Sequence, residues 1–319
     1  METITIENEH LKLTCINKGA TIVSLEYKPL KRNLITSFET LEQFEDNTKY
    51  YLGTTVAPSA GRIAQGQFVM NNKIHQLERN SGSHHLHGGS HGLSTQLLDW
   101  KKTDNTIEFF GTFDHRIDNY PGEITYKIIY ELKGQQLLIS LEGTPDVKMP
   151  LNMANHMYFN LDGSDSVLDH QLKVSADSIV LLDDNGAPSN KLLRVKDTVF
   201  DFRSKKPLRQ LLQGHPQFEI SRLLDHAFVL KTPKTLILEG KDLSMTVETT
   251  SESIVLYTAN HFDEQFVRDN HELAKNQQSV AIEAQKIPNG VNTSLDKNPF
   301  HNLENPFNSQ TIYTFDRIS

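Results

Sequence analysis

Short runs in which apolar and polar residues alternate, set off by turn residues at regular spacing, constrain this chain more than any other feature. Residues 107–113, 123–132 and 136–142 alternate in this way and are separated by Tyr120-Pro121-Gly122 and Lys133-Gly134. A period of two places the apolar side chains on one face of an extended strand, and that face must be covered by a second layer. The same reading applies to residues 3–30, a meander broken at Lys18-Gly19, and to residues 61–77, two strands joined by an Asn71-Asn72 hairpin turn. Strand-like runs resume at residues 171–174, 178–182, 227–230, 235–239, 243–248, 254–258, 280–283 and 311–315. This spacing predicts an all-β sandwich or barrel of antiparallel strands. Residues 183–190 read as a turn, and residues 39–46, 204–213 and 264–275 as three short helices.

No Pro/Ser-rich linker, low-complexity segment or fixed-period repeat divides the chain, so residues 1–319 are expected to form a single domain. Lys and Arg number 32 against 40 Asp and Glu, and the net charge of −8 with no long basic run argues against nucleic acid as a partner. The acidic, alternating N-terminal residues 1–9 do not resemble a secretory signal. No apolar stretch approaches membrane-spanning length, so a soluble, cytoplasmic protein without membrane partners is expected. The only cysteine, Cys15, has no partner for an intramolecular disulfide and lies in the alternating run Leu11, Leu13, Cys15, as a core thiol would.

Residues 151–161 combine strand-forming residues with polar groups that a purely structural strand does not need. In an extended segment Ala154, His156, Tyr158 and Asn160 share one face, a row suited to a polyhydroxylated ligand because each polar group donates or accepts hydrogen bonds. The competing reading of His156 is a half-buried imidazole bonded to a nearby carbonyl. His84, His85, His87 and His91 crowd one glycine-rich loop and suggest a metal, but no His-Glu-x-x-His pattern supplies a further ligand locally. Gly88-Gly89 there is better explained by close backbone approach. Phosphate-cradling, dinucleotide and nucleophile-elbow motifs are absent from the sequence. What remains is Arg62, His87, His156, the 224–230 run with Asp225, and the 281–285 run with Glu283. Glu283 follows the apolar run Ser279-Val280-Ala281-Ile282, where a carboxylate is costly unless it has partners or a task.

This set resembles the aldose 1-epimerase (galactose mutarotase) family. The resemblance rests on Asn155-His156-x-Tyr158-Phe159-Asn160-Leu161, Leu86-His87-Gly88-Gly89 with Trp100 downstream, Asp225-His226-x-Phe228-Val229-Leu230, and Glu283-x-Gln285-x-x-Pro288 with Asn292. Smaller echoes are Tyr120-Pro121-Gly122, Asp201-Phe202-Arg203 and Tyr257-Thr258-x-Asn260. The resemblance implies a large antiparallel β-sandwich, the mutarotase-like supersandwich, with a sugar cleft on its concave sheet. It assigns His156 as general acid and Glu283 as general base, and Arg62, His87 and Asp225 to sugar hydroxyls, with no cofactor and no metal. The family's Gly-Arg-x-x-Asn-Arg-Ile is replaced by Ala57-Pro58-Ser59-Ala60-Gly61-Arg62-Ile63, so its first Arg and its Asn are missing. Its Pro-Thr-Gly turn is Pro188-Ser189-Asn190, and Asn289 stands in place of an Asp.

The implied reaction interconverts the anomers of a free hexose such as galactose or glucose. It needs one group to take the proton of the C1 hydroxyl and another to protonate the ring oxygen, and an acidic neighbour such as Asp225 is expected to keep His156 protonated. Three alternatives remain. A hexose-6-phosphate epimerase would use a cationic pocket, with Lys205, Lys206, Arg209 or Lys286 as candidates; the others are a non-catalytic sugar-binding protein and a metal hydrolase on the histidine loop. The sugar is the expected partner, and the protein a monomer or homodimer.

Overall fold

The computed structural model describes residues 1–318. Two antiparallel sheets face one another. The wider has nine strands in the order Asp99–Lys102, Thr106–Asp114, Glu123–Lys133, Gln136–Pro145, Phe307–Arg317, Leu243–Thr249, Thr235–Glu239, Gln171–Val174 and Lys206–Pro207. The second has six, in the order Tyr158–Phe159, Val280–Gln285, Ser253–Tyr257, Asp225–Leu230, Ala176–Leu182 and Pro188–Arg194. A smaller four-stranded sheet is made by residues 3–33, as the meander pattern predicts. The chain has the mostly antiparallel β-sandwich architecture expected from its alternation.

The pleat explains why the sheets pack. In Glu123–Lys133 the side chains of Ile124, Tyr126, Ile128, Tyr130 and Leu132 are buried while the intervening ones are at least partly exposed. Their buried faces meet Val280, Ile282, Ile254, Leu256 and Phe228 of the smaller sheet in one continuous core. Each such side chain contributes about 1.5–3 kcal/mol of transfer free energy, set against the entropy of ordering it. All six residues of Val280–Gln285 are buried, because the far face of that sheet is covered as well. Its outward residues Glu283 and Gln285 form part of a cleft.

Several local expectations differ from the structure. Residues 264–275 form irregular turns, with an isolated bridge pairing Val267 with Leu273. Positive φ at Asp263, Glu264 and His271 breaks the helical path, and Asp263 N–H and Glu272 N–H instead bond to the Asn276 and Asn270 side chains. Phe262 and Phe266 then pack on Phe38, Phe44 and Tyr50. The helices expected at 39–46 and 204–213 are 3₁₀ turns, Leu41–Asp46 and Leu208–Gln213. The 183–190 turn closes early because the Asp183 side chain accepts from Asn185 N–H and Ala187 N–H, which frees Pro188–Arg194 to be a strand. Residues 151–161 are not one strand: Ala154–Asn155 pairs with Thr55–Val56, and Tyr158–Phe159 with Val280–Gln285. His156 lies between the two pairings. Among the described residues no helix is long and apolar enough to cross a membrane.

Candidate active site

A cavity of about 330 Å³ opens on the outer face of the six-stranded sheet, a volume within the usual range for small-molecule sites. Cross-strand register builds its floor. Asp225 lies opposite Tyr257, which lies opposite Ala281, and the adjacent row is Ala227, Val255 and Glu283. The short residues Ala227 and Val255 leave space above the sheet in which Glu283 is the polar group of its row. Arg62 enters from the short strand Arg62–Ile63, paired with His85–Leu86, and His87 follows that pairing directly. His156 is held by its backbone, with N–H to the Thr54 carbonyl at 2.8 Å and its own carbonyl accepting from Gly53 N–H at 3.0 Å. All five residues singled out in the sequence, Arg62, His87, His156, Asp225 and Glu283, line this cavity.

At its centre the His156 Nε2 atom lies 3.4 Å from Glu283 Oε1, and both side chains are buried. Burial pushes the Glu283 carboxyl up to about 8; the Asp225 charge adds to the rise and Arg62 opposes it. Burial pushes His156 down to about 4, and the attraction of Asp225 only partly offsets it. The expectation that an acidic neighbour keeps His156 protonated is therefore corrected: desolvation outweighs the charge of Asp225. Between these limits the pair carries one proton. Asp225 is itself tied to Arg62, Oδ2 to Nη1 at 3.2 Å, with both ends partly exposed to the cleft.

His87 Nδ1 accepts the Gly61 N–H at 3.2 Å. Burial, with the nearby His156, Arg62 and His85, holds His87 neutral, so its proton sits on Nε2 and that atom is a donor. Donor atoms of His87, His156 and Glu283 approach within 4.8 Å of one another. A metal-binding imidazole instead presents a bare nitrogen and donates its other N–H to a neighbour. The His87 tautomer therefore suits a hydroxyl oxygen better than a cation. The other loop histidines have structural bonds: His84 to the Asn185 carbonyl, His85 to the Glu78 carbonyl and Tyr120 hydroxyl, and His91 to Asp118. At Gly88 a Cβ would meet the Ala57 carbonyl oxygen, which accounts for that glycine by close backbone approach.

Of the row proposed for residues 154–160, His156 and Tyr158 line the cavity. Asn160 instead donates to the Ser164 and Gln278 carbonyls, and Ala154 packs against Tyr51, Val56 and Ala60. Tyr51 escapes sequence reasoning altogether. Its ring lies 4.6 Å from that of His87, centroid to centroid, yet nothing local in its segment signals a site. Gly61, where the family pattern has Asn, has φ +73°, and a Cβ there would come 2.6 Å from Pro288 Cβ. The cations proposed for a phosphate lie elsewhere: Lys205 pairs with Glu239, Arg209 with Asp169, and Lys286 with Asp296 and Glu252. Lys206 borders a separate surface depression.

The family model for aldose 1-epimerase matches residues 2–313. The chain belongs to the aldose 1-epimerase family. Curated relatives of the family include a galactose mutarotase of Sus scrofa, 29% identical over 303 residues that cover 92% of this chain and 87% of the relative. An aldose 1-epimerase of Haemophilus influenzae is 31% identical over 308 residues, 91% of this chain and 88% of the relative. Among solved structures, a GalM/aldose epimerase homologue from C. elegans superposes with a TM-score of 0.92 at 28% identity, covering 100% of this chain and 99% of that one. A galactose 1-epimerase from Lactobacillus acidophilus gives 0.89 at 27% identity, covering 99% and 95%. The family's mutarotase fold is thus shared across essentially the whole length of the chain.

Proposed function

We propose that this chain is an aldose 1-epimerase acting on a free hexose such as galactose or glucose, with His156 and Glu283 exchanging protons with the sugar. Arg62, His87 and Asp225 hold its hydroxyls. The supporting observation is the buried His156–Glu283 pair, 3.4 Å apart in a cavity of about 330 Å³. The anomeric oxygen and the ring oxygen are both bonded to C1, so a pair this close reaches both.

In ring opening, Glu283 as carboxylate takes the proton from the C1 hydroxyl. The C1=O bond forms as the C1 to ring-oxygen bond breaks, and His156 as imidazolium protonates the departing ring oxygen. Rotation about C1–C2 and reversal of the steps closes the ring from the other face. One proton enters the cycle on the pair and one leaves on it, which matches the single proton the pair carries at neutral pH. The working form needs that proton on His156, one transfer across the pair from the form burial favours. Each positioned proton transfer contributes about 10² to 10⁴ in rate. His87 Nε2–H and the Arg62 guanidinium donate to sugar oxygens, while Asp225 accepts from a hydroxyl.

Polarimetry of freshly dissolved α-galactose, α-glucose and glucose 6-phosphate tests this reading. Faster equilibration of both free sugars is expected. Preference for the phosphate would favour the hexose-6-phosphate reading instead, and tight sugar binding without acceleration would favour a binding protein.

A further inference from the structure

A chain of three side-chain amide and carboxyl groups runs from the backbone into the cleft. Lys286 N–H donates to Asn152 Oδ1 at 3.0 Å. Asn152 Nδ2 donates to Gln285 Oε1 at 3.0 Å and to the Ala60 carbonyl at 3.2 Å. Gln285 Nε2 donates to Glu283 Oε2 at 3.1 Å. A backbone N–H cannot reverse its direction, so the first bond fixes the Asn152 amide, and the Asn152 amide fixes that of Gln285. All three side chains are buried, so water does not readily scramble the order. Asn152 itself lies outside the cleft lining.

We propose that Asn152 and Gln285 are positioning residues whose fixed amides reserve Oε2 of Glu283 as an acceptor, so that the carboxyl proton is carried on Oε1. Oε1 is the oxygen 3.4 Å from His156 Nε2. Without this polarity a neutral carboxyl would choose between its two oxygens, and the proton on Oε2 would point away from the imidazole. The inference rests on the mutarotation reading for its catalytic meaning, but the placement of the proton follows from the hydrogen bonds alone. Other groups facing Glu283 are His156 and His87, Asp225 and Arg62 across the cleft, and the phenols of Tyr158 and Tyr313. The hydrogen bond to Oε2 comes from Gln285.

Two variants and two readouts test it. Gln285→Met keeps the volume and removes the donor; Asn152→Leu removes the link that orients Gln285 and leaves the cleft lining intact. The Glu283 carbonyl stretch, identified as the infrared band lost in Glu283→Gln, is titrated in each. Loss of a hydrogen bond to the ionised carboxylate should move its midpoint up by about one pH unit or more in both variants. In polarimetry kcat should fall about tenfold while KM changes by less than about threefold. Folded variants with the parent's infrared midpoint and kcat would overturn the proposal. If Asn152→Leu does not fold, Gln285→Met decides. A parent protein without mutarotase activity would defeat the functional reading, and the infrared midpoint would still judge the hydrogen-bond chain.

Discussion

Replacing Glu283 by glutamine should separate the catalytic worth of the carboxyl group from its cost to the fold. The folded-state value of about 8 lies well above the ordinary glutamate value of 4.5 that applies in the unfolded chain. The folded protein therefore binds more protons than the unfolded chain between those two values. The contribution of Glu283 to stability is fully present below about pH 4.5 and is lost as pH rises through 8. At 1.36 kcal/mol per pH unit the loss is about 3 kcal/mol at pH 7 and approaches about 5 kcal/mol above pH 8. Glutamine does not titrate, still accepts from Gln285, and turns an N–H toward His156 Nε2. Glu283→Gln should thus match the parent in thermal unfolding near pH 4.5 and exceed it increasingly as pH rises, by about 7 °C at pH 9. The same variant should lose turnover by at least about 10² in polarimetry. A melting difference that does not change with pH, or that favours the parent at pH 9, would refute the burial argument even if activity were lost.

His156→Asn should likewise remove most turnover while leaving sugar binding within about tenfold of the parent, as measured by calorimetric titration. Asp225→Asn removes a negative charge that raises Glu283. The alkaline limb of the pH–rate profile should move down, and KM should rise by about tenfold through the lost hydroxyl contact. Gly61→Ala sets a Cβ against Pro288 at a positive φ. It should destabilise by about 1–3 kcal/mol in urea unfolding and raise KM by displacing the N–H that fixes His87.

How much of this was readable from the chain depends on the range of the signal. Alternation along Glu123–Lys133 reports the inner face of the wide sheet directly, because every second residue meets water on the other side. Glu283 stood out for the complementary reason: its strand is covered on both faces, so the run is apolar and the carboxyl interrupts it. His156 and Tyr158 share a face as the period of two requires, but Asn160 departs because the chain bends between two different pairings. Tyr51 was invisible, since its place beside His87 depends on contacts between segments far apart in sequence. Residues 264–275 depart from the expected helix because the side chains of Asn270, Asn276 and Gln278 capture backbone N–H groups there and turn the chain. The fate of the His156 proton also escaped sequence reasoning, because the depth of burial is a property of the assembled sheet.

Strand Phe307–Arg317 lies between Gln136–Pro145 and Leu243–Thr249, in the middle of the nine-stranded sheet. During synthesis its two neighbours emerge long before it does, and until it arrives they have no partner along those edges. The sheet behind the cleft is therefore completed only once this strand, which follows both of its neighbours in sequence, has been made. Until then two sheet edges lie unpaired, each a template on which a strand of another chain could pair.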